Sequence, residues 1–480
     1  MKKILSLSFI LFTLLFTIIS EAATWYVDPA ASGSNNGTSW TNAWTSPASM
    51  TRLSAGDIVY FSGGSTGNTQ TYTMATRFTS LPGYTDGTVG NPITYKIGQD
   101  ASHNGTAIFD FSGANYKWAF SNTNNIIFSG DAGDGNQHFQ IITGSDYGIW
   151  AITSGATLNS KFSYIKADNL ADSSINGSNV NGIEIDHGWF RITHSNSDHF
   201  LYARFTGTTW DQNSIHDCTI YVPYNDPGHG ADCLQWVGVG FSIYNNTIIG
   251  YYQAGTYQNQ HADGWQGAGG PAYAKIYNNK IINIGNYGLY AEAWVATFSH
   301  IYIYNNIVCI SNSDLRADEL NPAGIVLSQK INTGPSEDIV IANNTAYDYS
   351  GAGGRAYAIK TISGIDFTDC YFRNNISVNS QTAFDVDASY TSDHNVSITA
   401  SNAPNTFASY TAYAGLSNNM NLIATDTVAK DQGDSLSSFF TDAFNGALLR
   451  PQGTAWDIGA YEYVEQLLNP GISFSGISVN

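Results

Sequence analysis

Two short phrases in the middle of the chain carry the same order of side chains that could do chemistry. The first is His-Gly-Ala-Asp-Cys-Leu-Gln at 229–235, and the second is His-Ala-Asp-Gly-Trp-Gln at 261–266. Each holds a histidine, then an aspartate, then a glutamine three residues after the aspartate. Imidazoles and carboxylates are groups that enzymes use for general acid–base catalysis. If the fold stacks the two phrases, they predict an active site.

Two kinds of chemistry fit these residues. Carboxylates one strand spacing apart in a sheet would lie about 5 Å from each other, and those two spacings apart about 10 Å, which brackets the separations in retaining and inverting glycosidases. Alternatively, a column of aspartates binds Ca²⁺ through its oxygens while a histidine removes a proton from a uronate sugar, which gives β-elimination. The sequence leaves hydrolysis and elimination open.

The residues that could take part cluster on neighbouring segments, and six of the ten histidines lie between 187 and 261. The predicted catalytic residues are Asp232, Asp263, His229 and His261; the predicted substrate-binding residues are Gln235, Gln266, Trp265, Trp236, Glu292 and Arg204; the predicted metal ligands are Asp198, Asp232 and Asp263. The predicted cofactor is Ca²⁺, and no organic cofactor is expected. The plainer interpretation is that the aspartates shape turns and form stacked polar ladders.

A repeat sets the frame that must position these residues. Five segments consist of alternating apolar residues followed by Asn-Asn, and the first asparagines of the pairs are 33, 27, 38 and 31 residues apart. The pairs are Asn245-Asn246, Asn278-Asn279, Asn305-Asn306, Asn343-Asn344 and Asn374-Asn375. Such periods are typical of solenoids. Stacked asparagines can hydrogen-bond in a ladder at about 4.8 Å per step. We therefore predict an all-β fold, a parallel β-helix whose open ends are capped.

Motifs at both ends of the chain add to the repeat. They are Trp25-Tyr-Val-Asp-Pro, Gly37-Thr-Ser-Trp40-Thr-Asn-Ala-Trp44, Gly56-Asp57 and, near the end, Asp457-Ile-Gly-Ala-Tyr-Glu-Tyr463. Together with the Asn-Asn repeats, these motifs resemble those of secreted bacterial right-handed parallel β-helix proteins, the pectate-lyase-like superfamily. The resemblance implies a single-stranded right-handed parallel β-helix. It also implies a choice among polysaccharide lyases, glycoside hydrolases, epimerases and adhesins.

The start of the chain predicts export. Lys2 and Lys3 precede an apolar run, and small residues follow before a cleavage site near Ala22, as in a secretory signal peptide. The predicted location is therefore secreted or cell-surface. The predicted division of the chain is a signal peptide at 1–22, an N-terminal cap with the first strands at 23–100, β-helix repeats at 101–400 and a C-terminal capping region at 401–480.

Composition limits the partners. The formal net charge of −19 argues against binding to nucleic acid, because too few cations are present to release phosphate counterions. No stretch after the signal is long and apolar enough to insert into a membrane. Charged residues make up 12% of the chain, whereas Tyr and Phe number 30 and 24, a composition typical of β-structure. We expect a monomer whose partner is a polysaccharide.

The preferred hypothesis is a secreted carbohydrate-active enzyme, a polysaccharide lyase or a glycoside hydrolase. It would act on a uronate-containing polysaccharide in a groove along the β-helix. The alternative is a non-catalytic cell-surface or carbohydrate-binding protein of the adhesin type. Turnover separates the two classes, because only the enzyme has an activity to lose when a catalytic aspartate is replaced.

Overall fold

The structure is a computed structural model that describes residues 22–464 with short gaps. The gaps are residues 114–117, 144–147, 152–156, 171–172, 193–198, 223–231, 251–262, 285, 294–295, 312–321, 330–333, 351–355, 363–366 and 445–447. Residues 1–21 of the predicted signal peptide, together with His229, His261 and Asp198, lie outside the described residues.

Three long sheets wind the described chain into a parallel β-helix, which confirms the predicted fold. We call them sheets A, B and C. A typical coil passes from a strand of sheet C to one of sheet A and then, after a sharp turn, to one of sheet B. Each strand pairs in parallel with its counterparts on neighbouring coils. Side chains alternate between the interior and the outer surface, as the burial pattern of the strand Ile93–Ile97 shows.

Sheet A starts at the first described strand and runs almost the length of the β-helix. Its strands are β1 (Thr24–Val27), β2 (Ile58–Phe61), β4 (Ile93–Ile97), β7 (Ile126–Ser129), β10 (Thr157–Ser163), the second half of β12 (Ser173–Asp186), β15 (Asn213–His216), the second half of β17 (Asp232–Tyr244), β20 (Ala272–Tyr277), β23 (Ser299–Tyr304), β26 (Ser336–Ala342), β29 (Phe367–Arg373) and β32 (Thr391–Asp393).

Sheets B and C complete the three sides. Sheet B consists of β3 (Thr69–Thr73), β5 (Thr106–Asp110), β8 (Phe139–Ile142), β11 (Ile165–Leu170), β13 (Trp189–Ile192), β16 (Thr219–Tyr221), β18 (Thr247–Ile249), β21 (Lys280–Ile282), β24 (Ile307–Cys309), β27 (Thr345–Tyr347), β30 (Ile376–Val378) and β33 (Val396–Ile398). Sheet C consists of β6 (Trp118–Ser121), β9 (Gly148–Ala151), the first halves of β12 and β17, β14 (His199–Thr206), β19 (Trp265–Ala268), β22 (Tyr287–Ala293), β25 (Ala323–Gln329), β28 (Tyr357–Ile362) and β31 (Thr382–Asp385).

The Asn-Asn pairs form the turn between sheets A and B. The first asparagine adopts a left-handed conformation, with φ of 54° at Asn305, which asparagine tolerates better than most residues. The second is buried and forms the predicted ladder: Asn306 Oδ1 accepts a hydrogen bond from the backbone N–H of Asn279 at 3.1 Å. The Nδ2 of Asn306 donates to Asn344 Oδ1 at 3.0 Å. The ladder is therefore confirmed, and it fixes the register of every coil it joins.

The interior is filled by inward-facing aliphatic and aromatic side chains. Aromatic rings pack densely in the first coils, where Phe61, Phe109 and Phe128 contact one another or their neighbours. Later coils contribute mainly Ile, Leu and Val. The thiols of Cys218, Cys233, Cys309 and Cys370 are all buried and free.

After β33 the chain lies along the side of the coils, on the edge formed by the first asparagines. Asn305 and Asn343 each donate a side-chain hydrogen bond of 2.8 Å to a backbone carbonyl of this segment. It contains the antiparallel strands β34 (Phe407–Ser409) and β35 (Asn419–Leu422) and the buried ion pair Arg450–Glu462, 2.8 Å long.

The helical content of the described chain is limited to four short 3₁₀ turns. They are Pro47–Ser49, Phe78–Ser80, Ala403–Asn405 and Gly415–Ser417. Among the described residues there is no helix with the length and apolar character needed to cross a bilayer.

Candidate functional site

The Asp and Gln residues of the two phrases are stacked on neighbouring coils of sheet C. Leu234 pairs with Trp265, so Asp232 lies beside Asp263 and Gln235 beside Gln266. The shared register of the phrases, predicted from the sequence, is thus confirmed.

Both aspartates serve as rungs between coils. Asp232 Oδ1 accepts a hydrogen bond of 2.9 Å from the backbone N–H of Asp263, and Asp263 Oδ1 accepts one of 3.1 Å from the backbone N–H of Tyr287. Asp232 is 3% exposed and Asp263 is 0% exposed. This geometry supports a framework role for the pair, because each carboxylate accepts a backbone hydrogen bond that joins its coil to the next. Their predicted catalytic and metal-binding roles stay predictions.

The predicted aspartate column is wrong by one residue at its first member. The backbone partner of Asp232 on the preceding coil is His199, not Asp198. Since side chains alternate between faces along a strand, a shift of one residue moves a side chain to the opposite face. Asp198 itself lies outside the described residues.

Gln235, Gln266, Tyr290 and Glu292 do come together on the outer side of sheet C, and we call them the sheet C row. Gln235 Nε2 donates to Gln266 Oε1, and Gln266 pairs in register with Tyr290 on the next coil. The Tyr290 hydroxyl donates a 2.6 Å hydrogen bond to Glu292 Oε1. Glu292 is only 4% exposed. Gln235, Gln266 and Tyr290 lie on three successive coils in a line parallel to the axis of the β-helix, and Glu292 lies beside this line, two residues after Tyr290 on the same strand.

The Tyr290 phenol is a fixed hydrogen-bond donor within this row. Its burial, together with the neighbouring Glu292 carboxylate, raises the pKa of Tyr290 well above its usual value. The phenol therefore stays protonated at neutral pH and orients the Glu292 carboxylate by hydrogen bonding.

The two predicted tryptophans are not part of this surface. Trp236 and Trp265 are 0% exposed and belong to the hydrophobic core. The Trp236 ring packs against Phe205 with centroids 4.9 Å apart, and Trp265 Nε1 donates to the Trp236 carbonyl at 3.1 Å. The prediction that they stack on sugar rings is therefore wrong. Each tryptophan is adjacent in sequence to an outward-facing glutamine, and alternation along the strand turns the tryptophan inward.

Arg204 lies on the same face of the same sheet but away from the row. Its side chain is exposed, and its backbone pairs with Val237. The structure leaves it free to reach a ligand that extends beyond Gln235 toward the N-terminal coils.

The described residues contain two groups of three side chains close enough to share a metal ion. They are Glu184, Asp186 and His216, and Asp393, His394 and Asp434. Neither group contains Asp232 or Asp263. The calcium site predicted from the aspartate column stays a prediction.

A charged cluster on the outer face of sheet A was not anticipated from the sequence. Lys161 Nζ lies 2.7 Å from Glu184 Oε1 and 2.8 Å from Asp186 Oδ2. His216 contacts Glu184 at 3.2 Å and Asp217 at 2.7 Å. The usable signal was the spacing of rare charged residues at alternate positions, 184 and 186, in a chain with only 12% of them.

The protonation states in this cluster are set by its hydrogen bonds. The bond from His216, with a further contribution from Lys161, lowers the pKa of Glu184 to about 2. Burial alone would lower the pKa of His216, but hydrogen bonds to Asp217 and Glu184 outweigh it and raise that pKa to about 9. Glu184 is therefore a carboxylate and His216 an imidazolium at neutral pH.

No protein-family model matches the chain, and no curated protein matches it either. The chain is similar in fold to the solved structure of pectate lyase Pel9A, with 18% identity, a TM-score of 0.46, and coverage of 92% of this chain and 97% of that one. For a rhamnogalacturonan lyase the identity is 17% and the TM-score 0.49, and the match covers 74% of this chain and 87% of that one. For the GH136 lacto-N-biosidase from Eubacterium ramulus the identity is 11% and the TM-score 0.39, and the match covers 78% of this chain and 68% of that one. These similarities concern the fold.

Proposed function

We propose that the protein is a secreted carbohydrate-active enzyme that binds a polysaccharide along the outer side of sheet C. The observation that carries the proposal is the sheet C row, in which Gln235, Gln266 and Tyr290 are aligned with the axis of the β-helix and Glu292 lies two residues beyond Tyr290 on the same strand. Successive coils present such groups about 4.8 Å apart, a regular spacing that suits an elongated polymer of hydroxyl-bearing units.

Within the row, Glu292 is the acid–base group that we propose for bond cleavage. It is the carboxyl group of the row, and the Tyr290 hydroxyl holds it at 2.6 Å. Gln235 and Gln266 have both donor and acceptor atoms, which suits them to bind sugar hydroxyls. The exposed Arg204 would pair with the carboxylate of a uronate unit further along the chain. A carboxyl group can act as a general acid or base in either hydrolysis or elimination.

Asp232 and Asp263 have a second possible role in this proposal. If they are catalytic, as the sequence predicts, loss of their negative charge abolishes turnover. If they only join coils, asparagine serves as well, because its Oδ1 can accept the same backbone hydrogen bond. Predicted proton transfer by His229 and His261 belongs to the same proposal.

The test is a panel of uronate-containing and neutral polysaccharides assayed for unsaturated products by ultraviolet absorbance and for new reducing ends. We expect Glu292→Gln to lower turnover at least about 100-fold, the usual contribution of a general acid or base. Glu337→Gln is the matched control, since Glu337 is exposed on β26 of sheet A. Full activity of Glu292→Gln would refute the assignment of Glu292.

A non-catalytic carbohydrate-binding protein is the second candidate. The backbone hydrogen bonds of both aspartates favour this alternative, because two carboxylates that join coils are not available for catalysis. Binding of a polysaccharide with no product on the whole panel would establish this alternative. Unsaturated products would show elimination, and reducing ends alone would show hydrolysis.

A further inference from the structure

A cleft of about 390 Å³ lies on the outer face of sheet A, away from the sheet C row. The turn at residues 88–91, from one of the first coils, stands on one side, and Asp211 with Gln212 stands on the other. Lys161, Glu184 and Ser214, on three successive coils, form its floor. Its volume is in the range of cavities that take small organic ligands.

The charged groups of the cleft floor pair with one another. Two of their hydrogen-bonding positions remain available to a ligand. Lys161 Nζ is held at 2.7 Å by Glu184 and at 2.8 Å by Asp186. An ammonium has three protons, and Glu184 Oε1 takes both the Lys161 and the His216 contacts. Within the described residues, the third proton of Lys161 and Oε2 of Glu184 have no protein partner.

The walls add further polar groups and one apolar surface. Asn159 Nδ2 donates to Asn125 Oδ1 at 3.3 Å, so the two amides stack along one side of the cleft. Val89, at the tip of the turn, is 79% exposed and the most exposed of the large hydrophobic residues in the described chain. An exposed apolar side chain beside amides, a carboxylate and an ammonium suits a ring that has apolar C–H groups and several hydroxyls.

We propose that this cleft is a binding site for an uncharged sugar unit, distinct from the site around Glu292. The ionisable side chains that line it are Lys161, Glu184 and Asp211, one cation against two anions. The Asp211 carboxylate is paired at 2.8 Å with the ammonium of Lys275, a residue that does not line the cleft. The lining cation, Lys161, is already held by two carboxylates, so an anionic uronate would find no unpaired cation in the lining, whereas a neutral sugar meets donors and acceptors in a fixed arrangement. A second site on the same rigid β-helix would hold a neutral part of a polysaccharide or a neutral neighbouring polymer.

The test uses the full mature chain carrying Glu292→Gln, so that turnover does not consume the ligand. Isothermal titration calorimetry measures binding of hexamers of glucose, xylose, mannose and galactose and, as the anionic probe, hexagalacturonate. The variant Ser214→Trp fills the cleft, and the variant Val89→Asp adds a carboxylate at its rim. The matched control is Thr391→Trp, an exposed position on the outer face of the same sheet, at its far end. Circular dichroism verifies that each variant is folded.

We expect at least one neutral hexamer to bind, with affinity lowered about tenfold or more by Ser214→Trp, lowered by Val89→Asp and unchanged by Thr391→Trp, a change of about 1.4 kcal/mol per factor of ten. Binding of no neutral hexamer, or binding that Ser214→Trp leaves unchanged, would overturn the proposal. A loss confined to hexagalacturonate would overturn the choice of an uncharged ligand. In the wild-type background, Ser214→Trp should leave cleavage of short substrates unaltered, so the failure of this site and that of the Glu292 site are distinguishable.

Discussion

Replacing Asp232 by alanine or by asparagine separates the framework role of this residue from a catalytic one. Asp232 Oδ1 accepts the backbone N–H of Asp263 at 2.9 Å in a position that is 3% exposed. Alanine leaves that buried N–H without its acceptor, which costs about 1–3 kcal/mol. Asparagine keeps an acceptor oxygen at the same place. We therefore expect Asp232→Ala to destabilise the coil contact and Asp232→Asn to preserve most of it.

Native-state hydrogen exchange read by mass spectrometry measures this effect locally. A long coiled array need not unfold in one step, so a local probe is preferable to a single melting temperature. A loss of about 1–3 kcal/mol predicts exchange at the Asp263 amide that is about 5- to 150-fold faster in Asp232→Ala. Asp232→Asn should exchange within a few-fold of the wild-type chain.

Two results would refute this reasoning. Equal protection in Asp232→Ala and wild type would mean that the hydrogen bond does not hold the coils together. Equal loss of protection in Asp232→Asn and Asp232→Ala would mean that the negative charge matters more than the acceptor. If Asp232→Asn keeps its protection and loses turnover, the residue is catalytic as well as structural.

Three further predictions concern the ladder, the charged cluster and the C-terminal segment. Asn306→Ala removes the acceptor of the Asn279 N–H and should cost about 2–5 kcal/mol in denaturant unfolding, whereas Asn245→Gly, at a left-handed turn position, should be nearly neutral. The folded pKa of His216 is raised from 6.5 to about 9, so its stabilising contribution is full below about pH 6.5 and lost as the pH rises through about 9; His216→Phe, which keeps a ring against Tyr244, should remove that slope in the free energy of unfolding against pH. Arg450→Met leaves Glu462 buried without its 2.8 Å partner, which should cost about 3–5 kcal/mol and expose the segment 403–462 to limited proteolysis, and a wild-type digestion pattern would contradict this.

The sequence by itself determined the architecture. Asparagine tolerates the left-handed turn and can hydrogen-bond to its own copy one coil away, so the Asn-Asn repeats specified both the turn and the register. The matching His-Asp-Gln phrases correctly placed Gln235 beside Gln266. These are local properties, repeated at each coil, and they need no knowledge of the rest of the chain.

Only the tertiary structure decided which side chains face outward and which distant ones meet. A β-strand alternates with a period of two, so an alignment wrong by one residue assigns every side chain to the wrong face. The structure turned Trp236 into the core and placed Glu292 on the outer face, beside Tyr290, which is in line with Gln235. The Lys161–Glu184 ion pair joins two coils at an interval of 23 residues, outside the 27 to 38 residues that separate the Asn-Asn pairs. Loop lengths set which residues of successive coils become neighbours, and that is a property of the whole winding.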